Sequence, residues 1–183
     1  AFALRADGWY LRQDIIWHKP NPMPESVQDR CTKSHEYIFL LTKSANYYYD
    51  IDAIREPLAE SSLGRLNQDI DSQVGTTRAN GGAKTNGNLK AVGDVDLGRN
   101  KRSVWTITTK PYKEAHFAVF PPELPTLCIK AGSKEGDVVL DPFMGSGTTA
   151  WVAQRLSRKW IGVELNPEYV KIIKKRVSQQ ELF

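Results

Sequence analysis

The chain has 183 residues, of which 40% are hydrophobic, 25% charged and 10% aromatic, with a formal net charge of +4. That is about one domain's length, and no run approaches the roughly 18 to 20 apolar residues of a membrane-spanning helix. With no secretion signal readable at the N-terminus, the expectation is a soluble, cytoplasmic protein with no membrane contact. Cys31 and Cys128 lie far apart with no CxxC spacing, which argues against a disulfide framework or a structural zinc site and for buried apolar thiols.

In chain order, Phe2-Ala3-Leu4-Arg5-Ala6-Asp7-Gly8-Trp9 reads as the tail of a helix stopped by a glycine, so the chain is expected to be a fragment. Two strands follow, Asp14–Trp17 and Tyr37–Leu41; the second is a continuous apolar run of the kind found in a sheet covered on both faces. Between them, Lys19-Pro20-Asn21-Pro22-Met23-Pro24 sets three prolines on alternate positions and fixes a stiff, extended surface loop. It is either a rigid connector or the wall of a site at the end of the first strand.

Residues 58–100 contain 7 of the 13 glycines and no aromatic residue, too little apolar surface to offset the entropy of ordering. A mobile insertion is expected there, with one short helix near Ser61–Gln68 and a role in target recognition as one option. The charge excess comes afterwards: residues 101–183 carry 13 basic and 8 acidic groups. Arg99, Lys101, Arg102, Lys110 and Lys113, with no acid among them and with Trp105 and Tyr112 interleaved, form the best candidate phosphate-contacting stretch. The alternative is a plain solvated loop.

The C-terminal part alternates helix and strand. A helix starts at Phe120-Pro121-Pro122-Glu123-Leu124 and stops at Gly132, the strand Asp137–Leu140 runs into the turn Asp141–Gly147, and a helix follows from Thr148 to about Leu156. The strand Trp160–Glu164 and a helix from Pro167 to Val177, with Tyr169, Val170, Ile173 and Val177 on one face, complete a βαβα unit. Short loops make a parallel sheet its natural outcome.

A strand, a glycine turn and a helix start together form an anion-attracting device, because glycines admit close backbone approach and the first helical N–H groups are free. Gly145-Ser146-Gly147-Thr148-Thr149-Ala150 fits the GxGxxG/A form, and Glu164 at the end of the next strand can accept both hydroxyls of an adenosine ribose. The absence of a lysine after Gly147 argues against a P-loop for ATP. Only 36 residues follow Gly147, which argues against a dinucleotide fold without excluding it.

These residues carry a resemblance. Asp141-Pro142-Phe143-Met144-Gly145-Ser146-Gly147-Thr148-Thr149 with Ile161-Gly162-Val163-Glu164-Leu165-Asn166-Pro167-Glu168-Tyr169 resembles the S-adenosylmethionine-binding segment of amino-DNA methyltransferases, which modify adenine N6 or cytosine N4. Trp9–Lys43 looks like the later part of the catalytic half of the subgroup in which that half comes first, and His116–Leu124 resembles the helix start before the cofactor strand. The resemblance implies a Rossmann-like α/β methyltransferase fold, mostly parallel with helices on both faces of the sheet and incomplete at the N-terminus. It implies one domain over 1–183: 1–57 catalytic, 58–100 inserted, 101–183 cofactor-binding.

It further implies that Asp141, Phe143, Gly145, Ser146 and Gly147 shape the cofactor turn, and that Thr148 meets the methionine carboxylate. Glu164 would hold the ribose and Asn166 lie beside the adenine, with Phe120 and Pro121 at the methionine end. Double-stranded DNA is the implied partner and S-adenosylhomocysteine the implied product. The family's amine-activating motif, a polar residue followed by Pro-Pro and an aromatic, is absent: Phe120-Pro121-Pro122-Glu123 and Asn21-Pro22-Met23-Pro24 both depart from it. In the family order it would precede Trp9, so the chain alone is expected to be silent, and the lost strands would leave an edge able to pair two chains as a homodimer. Two further readings stay open: a nucleic-acid-binding module that uses no cofactor, and a nicotinamide-dependent oxidoreductase. A catalytic or metal role for His18, His35 and His116 is disfavoured, since no pair has helical metal spacing.

Overall fold

The computed structural model describes residues 1–60, 63, 98–109 and 120–178. Contacts divide the chain into two compact units, Ala1–Asp50 with Arg102–Phe183, and Ile51–Lys101.

The larger unit opens with helix α1 (Phe2–Ala6), which ends at Asp7 as the glycine predicts. Strands β1 (Tyr10–His18) and β2 (His35–Thr42) pair antiparallel with Ile15 opposite Ile38, and β3 (Val104–Thr106) adds in parallel on the other side of β1, giving the order β2-β1-β3. Alternation then sorts the faces. Ile15 and Trp17 turn inward with Trp105 and Ile107, while Ile38, Phe120, Leu124 and Leu127 pack against them. The indole N–H of Trp17 donates to the Ile107 carbonyl at 2.8 Å, satisfying a polar group that burial would otherwise strand.

The expectation that β2 is covered on both faces is corrected: Tyr37 and Phe39 are exposed at 53% and 41%, their rings stacked 6.2 Å apart. Ile38 and Leu40 point the other way, so the apolar run is a period-two pattern with both positions hydrophobic. The loop after β1 is pinned rather than free. Asn21 pairs with Thr109 as a strand would, its amide donating to the Thr109 carbonyl and accepting from the Thr109 N–H at 3.1 and 3.0 Å.

Helix α2 (Glu123–Gly132) follows Pro121 and Pro122, with Pro125 inside the first turn, where a missing N–H costs nothing. It spans two clusters. Leu124 and Leu127 pack on the β1–β3 cluster, and Ile129 joins Val152 and Ala153 under Val139 and Trp160. Strand β4 (Val138–Asp141), helix α3 (Thr148–Arg155), strand β5 (Lys159–Gly162) and helix α4 (Pro167–Ser178) form the expected βαβα unit. β4 and β5 are parallel, with Val139 opposite Trp160. α4 buries Ile173 on the face read from its periodicity, against Met144 and Ala150. Val163 and Glu164, expected within the last strand, lie just beyond it.

In the smaller unit a 3-10 turn (Asp52–Ile54) precedes an antiparallel bridge between Glu56 and Arg99, with backbone hydrogen bonds of 2.9 and 2.8 Å. Ile54 is buried. The helix expected near Ser61–Gln68 lies, apart from Leu63, outside the described residues. Both cysteines are exposed, against the expectation of buried thiols. Cys128 faces outward from α2, yet the protein packed around it desolvates the thiol and pushes its pKa up to about 11. No helix among the described residues is long and apolar enough to cross a membrane.

Candidate functional site

Asp141, the last residue of β4, organises the turn from below. One carboxylate oxygen accepts the Phe143 N–H at 2.9 Å and the other the Thr149 hydroxyl at 2.6 Å, tying the end of the strand to the first turn of α3. The backbone then climbs through Gly145 and Gly147, both left-handed with φ of 55° and 81°. At Gly147 two demands coincide, because a Cβ there would also sit 3.0 Å from Ile173 Cγ1 and 3.3 Å from its Cα. Gly147 caps α3, and among the described residues no side-chain cap bonds the free N–H groups of that helix's first turn.

Glu164 braces the top. One carboxylate oxygen accepts the Gly145 N–H at 2.7 Å and the other the Asn166 N–H at 2.8 Å. Each oxygen has a further lone pair, so the carboxylate can still accept two ligand hydroxyls. The Asn166 side chain accepts the Glu168 N–H at 3.0 Å and caps α4, which accounts for its position without a ligand. Phe143, in the turn, and Leu165, next to Glu164 in the chain, are exposed at 87% and 98%. Leu165 was missed by sequence reasoning, although a large apolar residue directly after the strand-end carboxylate was the signal available.

The structure brings Asp141, Phe143, Gly145, Ser146, Gly147, Thr148, Glu164 and Asn166 into one locality. Thr148 is only 2% exposed and its hydroxyl lies 3.0 Å from Arg176 Nη1, so what it offers a ligand is its backbone N–H rather than its side chain. Phe120 and Pro121 pack at the start of α2, Phe120 in the β1–β3 cluster, and share no cluster or hydrogen bond with the glycine turn among the described residues.

The described members of the basic stretch fall in both units. In the smaller unit Arg99 and Lys101 both pair with Glu56 at 3.3 Å. In the larger unit Arg102 is exposed, while Trp105, read as an interleaved aromatic, is a core residue 5% exposed whose indole donates to the Arg102 carbonyl. It has no face to offer a base. Lys110, Tyr112 and Lys113 lie outside the described residues.

At the end of β1, an open polar cavity of about 400 Å3 is lined by Lys19, Glu25, Lys33, His35, Glu36 and Tyr37. Lys19 pairs with Glu36 and lies 4.4 Å above the Trp17 ring. His18 stands opposite His35 across the strands, 3.2 Å from the Thr106 hydroxyl. His116 lies outside the described residues.

Comparison with known proteins agrees with this geometry. The DNA methylase family model for N6 and N4 enzymes matches residues 1–175. The chain is similar to the type II methyltransferase M.SmaI of Serratia marcescens, 46% identical over 180 residues that cover 98% of this chain and 50% of that protein. It is equally similar to M.Cfr9I of Citrobacter freundii, 47% identical over 181 residues that cover 99% and 49%. The chain thus spans about half the length of these curated relatives. Among solved structures, the PvuII DNA methyltransferase, described as cytosine-N4-specific, superposes with a TM-score of 0.63 at 21% identity, covering 96% of this chain and 54% of that one. M1.HpyAVI in complex with SAM superposes with a TM-score of 0.58 at 24% identity, covering 96% and 66%. These likenesses establish a methyltransferase-type fold, and the family match over nearly the whole sequence establishes that the chain belongs to the N6/N4 DNA methylase family.

Proposed function

We propose that this chain carries the S-adenosylmethionine-binding half of a type II restriction-modification DNA methyltransferase. The full protein would methylate the exocyclic amine of adenine (N6) or cytosine (N4) in double-stranded DNA. The observation that carries the reading is the Glu164 carboxylate, held by the Gly145 and Asn166 N–H groups above a helix start that no side chain caps. M1.HpyAVI and TTHA0409 of Thermus thermophilus, both solved with S-adenosylmethionine, support it.

S-adenosylmethionine supplies an activated methyl group and leaves as S-adenosylhomocysteine. The chain's own residues bind and orient. Glu164 accepts the ribose hydroxyls, while Phe143 and Leu165 cover the adenine beside Asn166. The free N–H groups of Thr148 and its neighbours receive the methionine carboxylate, favoured by the helix dipole. Asp141, Ser146 and the two glycines set the backbone path, and Phe120 and Pro121 are assigned to the methionine end on the resemblance alone. Arg102, Lys110 and Lys113 are the proposed phosphate contacts, with Arg99 and Lys101 joining them only if they leave Glu56. The outer edge of β2, unpaired among the described residues, is the proposed route to chain pairing.

Because the amine-activating motif is absent from this sequence, the 183-residue chain binds cofactor but transfers no methyl group to DNA. Calorimetric titration with S-adenosylhomocysteine tests the binding. Replacing Glu164 by alanine removes hydrogen bonds to a charged acceptor, about 1.5 to 3 kcal/mol, and so lowers affinity roughly ten- to hundredfold. A Glu164→Ala chain that binds as tightly as the unsubstituted one sinks the assignment.

A further inference from the structure

The glycine turn is held from two sides, and only one of them was legible in the sequence. Glu164 braces the Gly145 end. At the other end Arg176, from the third turn of α4, reaches across to the start of α3. Its Nη1 lies 3.0 Å from the Thr148 hydroxyl and 3.4 Å from both the carbonyl and the hydroxyl of Ser146. The guanidinium also lies over the Trp151 ring, 5.4 Å from its centroid, against a side chain one turn along α3. Two further contacts lock α4 in place: Ile173 fills the space opposite Gly147, and the Gln154 amide donates to the Val177 carbonyl at 3.1 Å.

We propose that Arg176 is a positioning residue for the methionine end of the cofactor. It acts through Ser146 and Thr148, whose backbone it holds so that the first N–H groups of α3 converge on the carboxylate. The inference rests on the cofactor reading above. Its content is a division of labour: Glu164, with Phe143 and Leu165, serves the adenosine end, and Arg176 serves the amino-acid end without touching ligand. Thr148 and Ser146, both buried, present their side chains to Arg176, which leaves only main-chain groups for the ligand. A guanidinium can donate through Nη1 while its flat face lies against an aromatic ring, a combination that a lysine ammonium does not reproduce.

The division predicts a ligand-dependent signature that a merely structural role would not give. S-adenosylhomocysteine carries the amino-acid end; 5′-methylthioadenosine shares the adenosine and lacks that end. Calorimetric titration of the full 183-residue chain with both ligands is made for the unsubstituted protein, Arg176→Met, Arg176→Lys and Glu164→Ala. Arg176→Met is expected to bind S-adenosylhomocysteine roughly tenfold more weakly, the loss of about one charged hydrogen bond, and 5′-methylthioadenosine unchanged within about twofold. Arg176→Lys should fall between, and Glu164→Ala should weaken both ligands together. Thr148→Val, which removes the hydroxyl facing Arg176, should repeat the Arg176→Met pattern and serves if that variant does not fold. Equal weakening of both ligands by Arg176→Met and Thr148→Val, or no weakening of either, overturns the proposal while leaving the cofactor reading intact. An unsubstituted chain that binds neither ligand overturns the cofactor reading and this proposal with it.

Discussion

Replacing Gly147 by alanine challenges the turn where the structure leaves least room. The backbone there has φ 81°, and the added methyl would lie 3.0 Å from Ile173 Cγ1, 3.3 Å from Cγ2 and 3.3 Å from Cα. The left-handed conformation costs a non-glycine residue roughly 1 to 2 kcal/mol, and overpacking a buried contact adds about 1 to 3 kcal/mol. The sum, about 2 to 5 kcal/mol, corresponds to a fall in Tm of roughly 4 to 20 °C for a chain of this size. Gly136 is the internal control, because its φ is 82° but nothing lies within 4 Å of an added Cβ. Gly136→Ala should therefore show the conformational part alone, about 1 to 2 kcal/mol.

Urea titration followed by tryptophan fluorescence measures both variants. The double variant Gly147→Ala with Ile173→Ala then isolates the contact, since removing Cγ1 and Cγ2 relieves the overlap and the pair should cost about 1 kcal/mol less than the sum of its members. Equal destabilisation by Gly147→Ala and Gly136→Ala, or strict additivity with Ile173→Ala, would refute the claim that α4 backs the glycine turn through this contact.

Two other predictions concern side chains whose roles changed on folding. Cys128, with its thiol pushed up to about 11, should react with iodoacetamide at a rate that still rises about tenfold per pH unit between pH 8 and 10; a plateau near pH 9 contradicts the desolvation assigned to it. Arg99→Ala and Lys101→Ala should lower protection of the Glu56 and Arg99 amides in hydrogen exchange, because both side chains pair with Glu56 beside that bridge. Unchanged protection in both variants would show that the pairs do not hold the bridge.

Much of this architecture was readable because local chemistry forces it. The βαβα order over 137–177 follows from a proline-marked helix start, apolar strands and a glycine turn, and the strand and helix limits fall within two residues of those expected. The glycines and Glu164 were legible from the strand–turn–helix pattern, whereas Asp141 was marked by the family resemblance. Contacts between distant segments were not legible. Trp105 sits in a basic stretch, and only the packing of β3 beside β1 shows that it belongs to the core with Trp17. Arg99 and Lys101 looked available until a backbone bridge brought Glu56, more than forty positions away, against them. Arg176 belongs to no motif that the sequence offers, and the packing of α4 on Gly147 is what delivers it to Thr148.

The cofactor assignment is tested most directly by locating the ligand. In a titration of the isotope-labelled chain with S-adenosylhomocysteine, followed by amide NMR, the account predicts that the largest shifts fall on residues 143–149 and 164–166. Those residues hold the Gly145 and Asn166 amides on Glu164 and the uncapped start of α3. Shifts centred instead on the Lys19–Glu36 cavity at the end of β1, or none at saturating ligand, would contradict it.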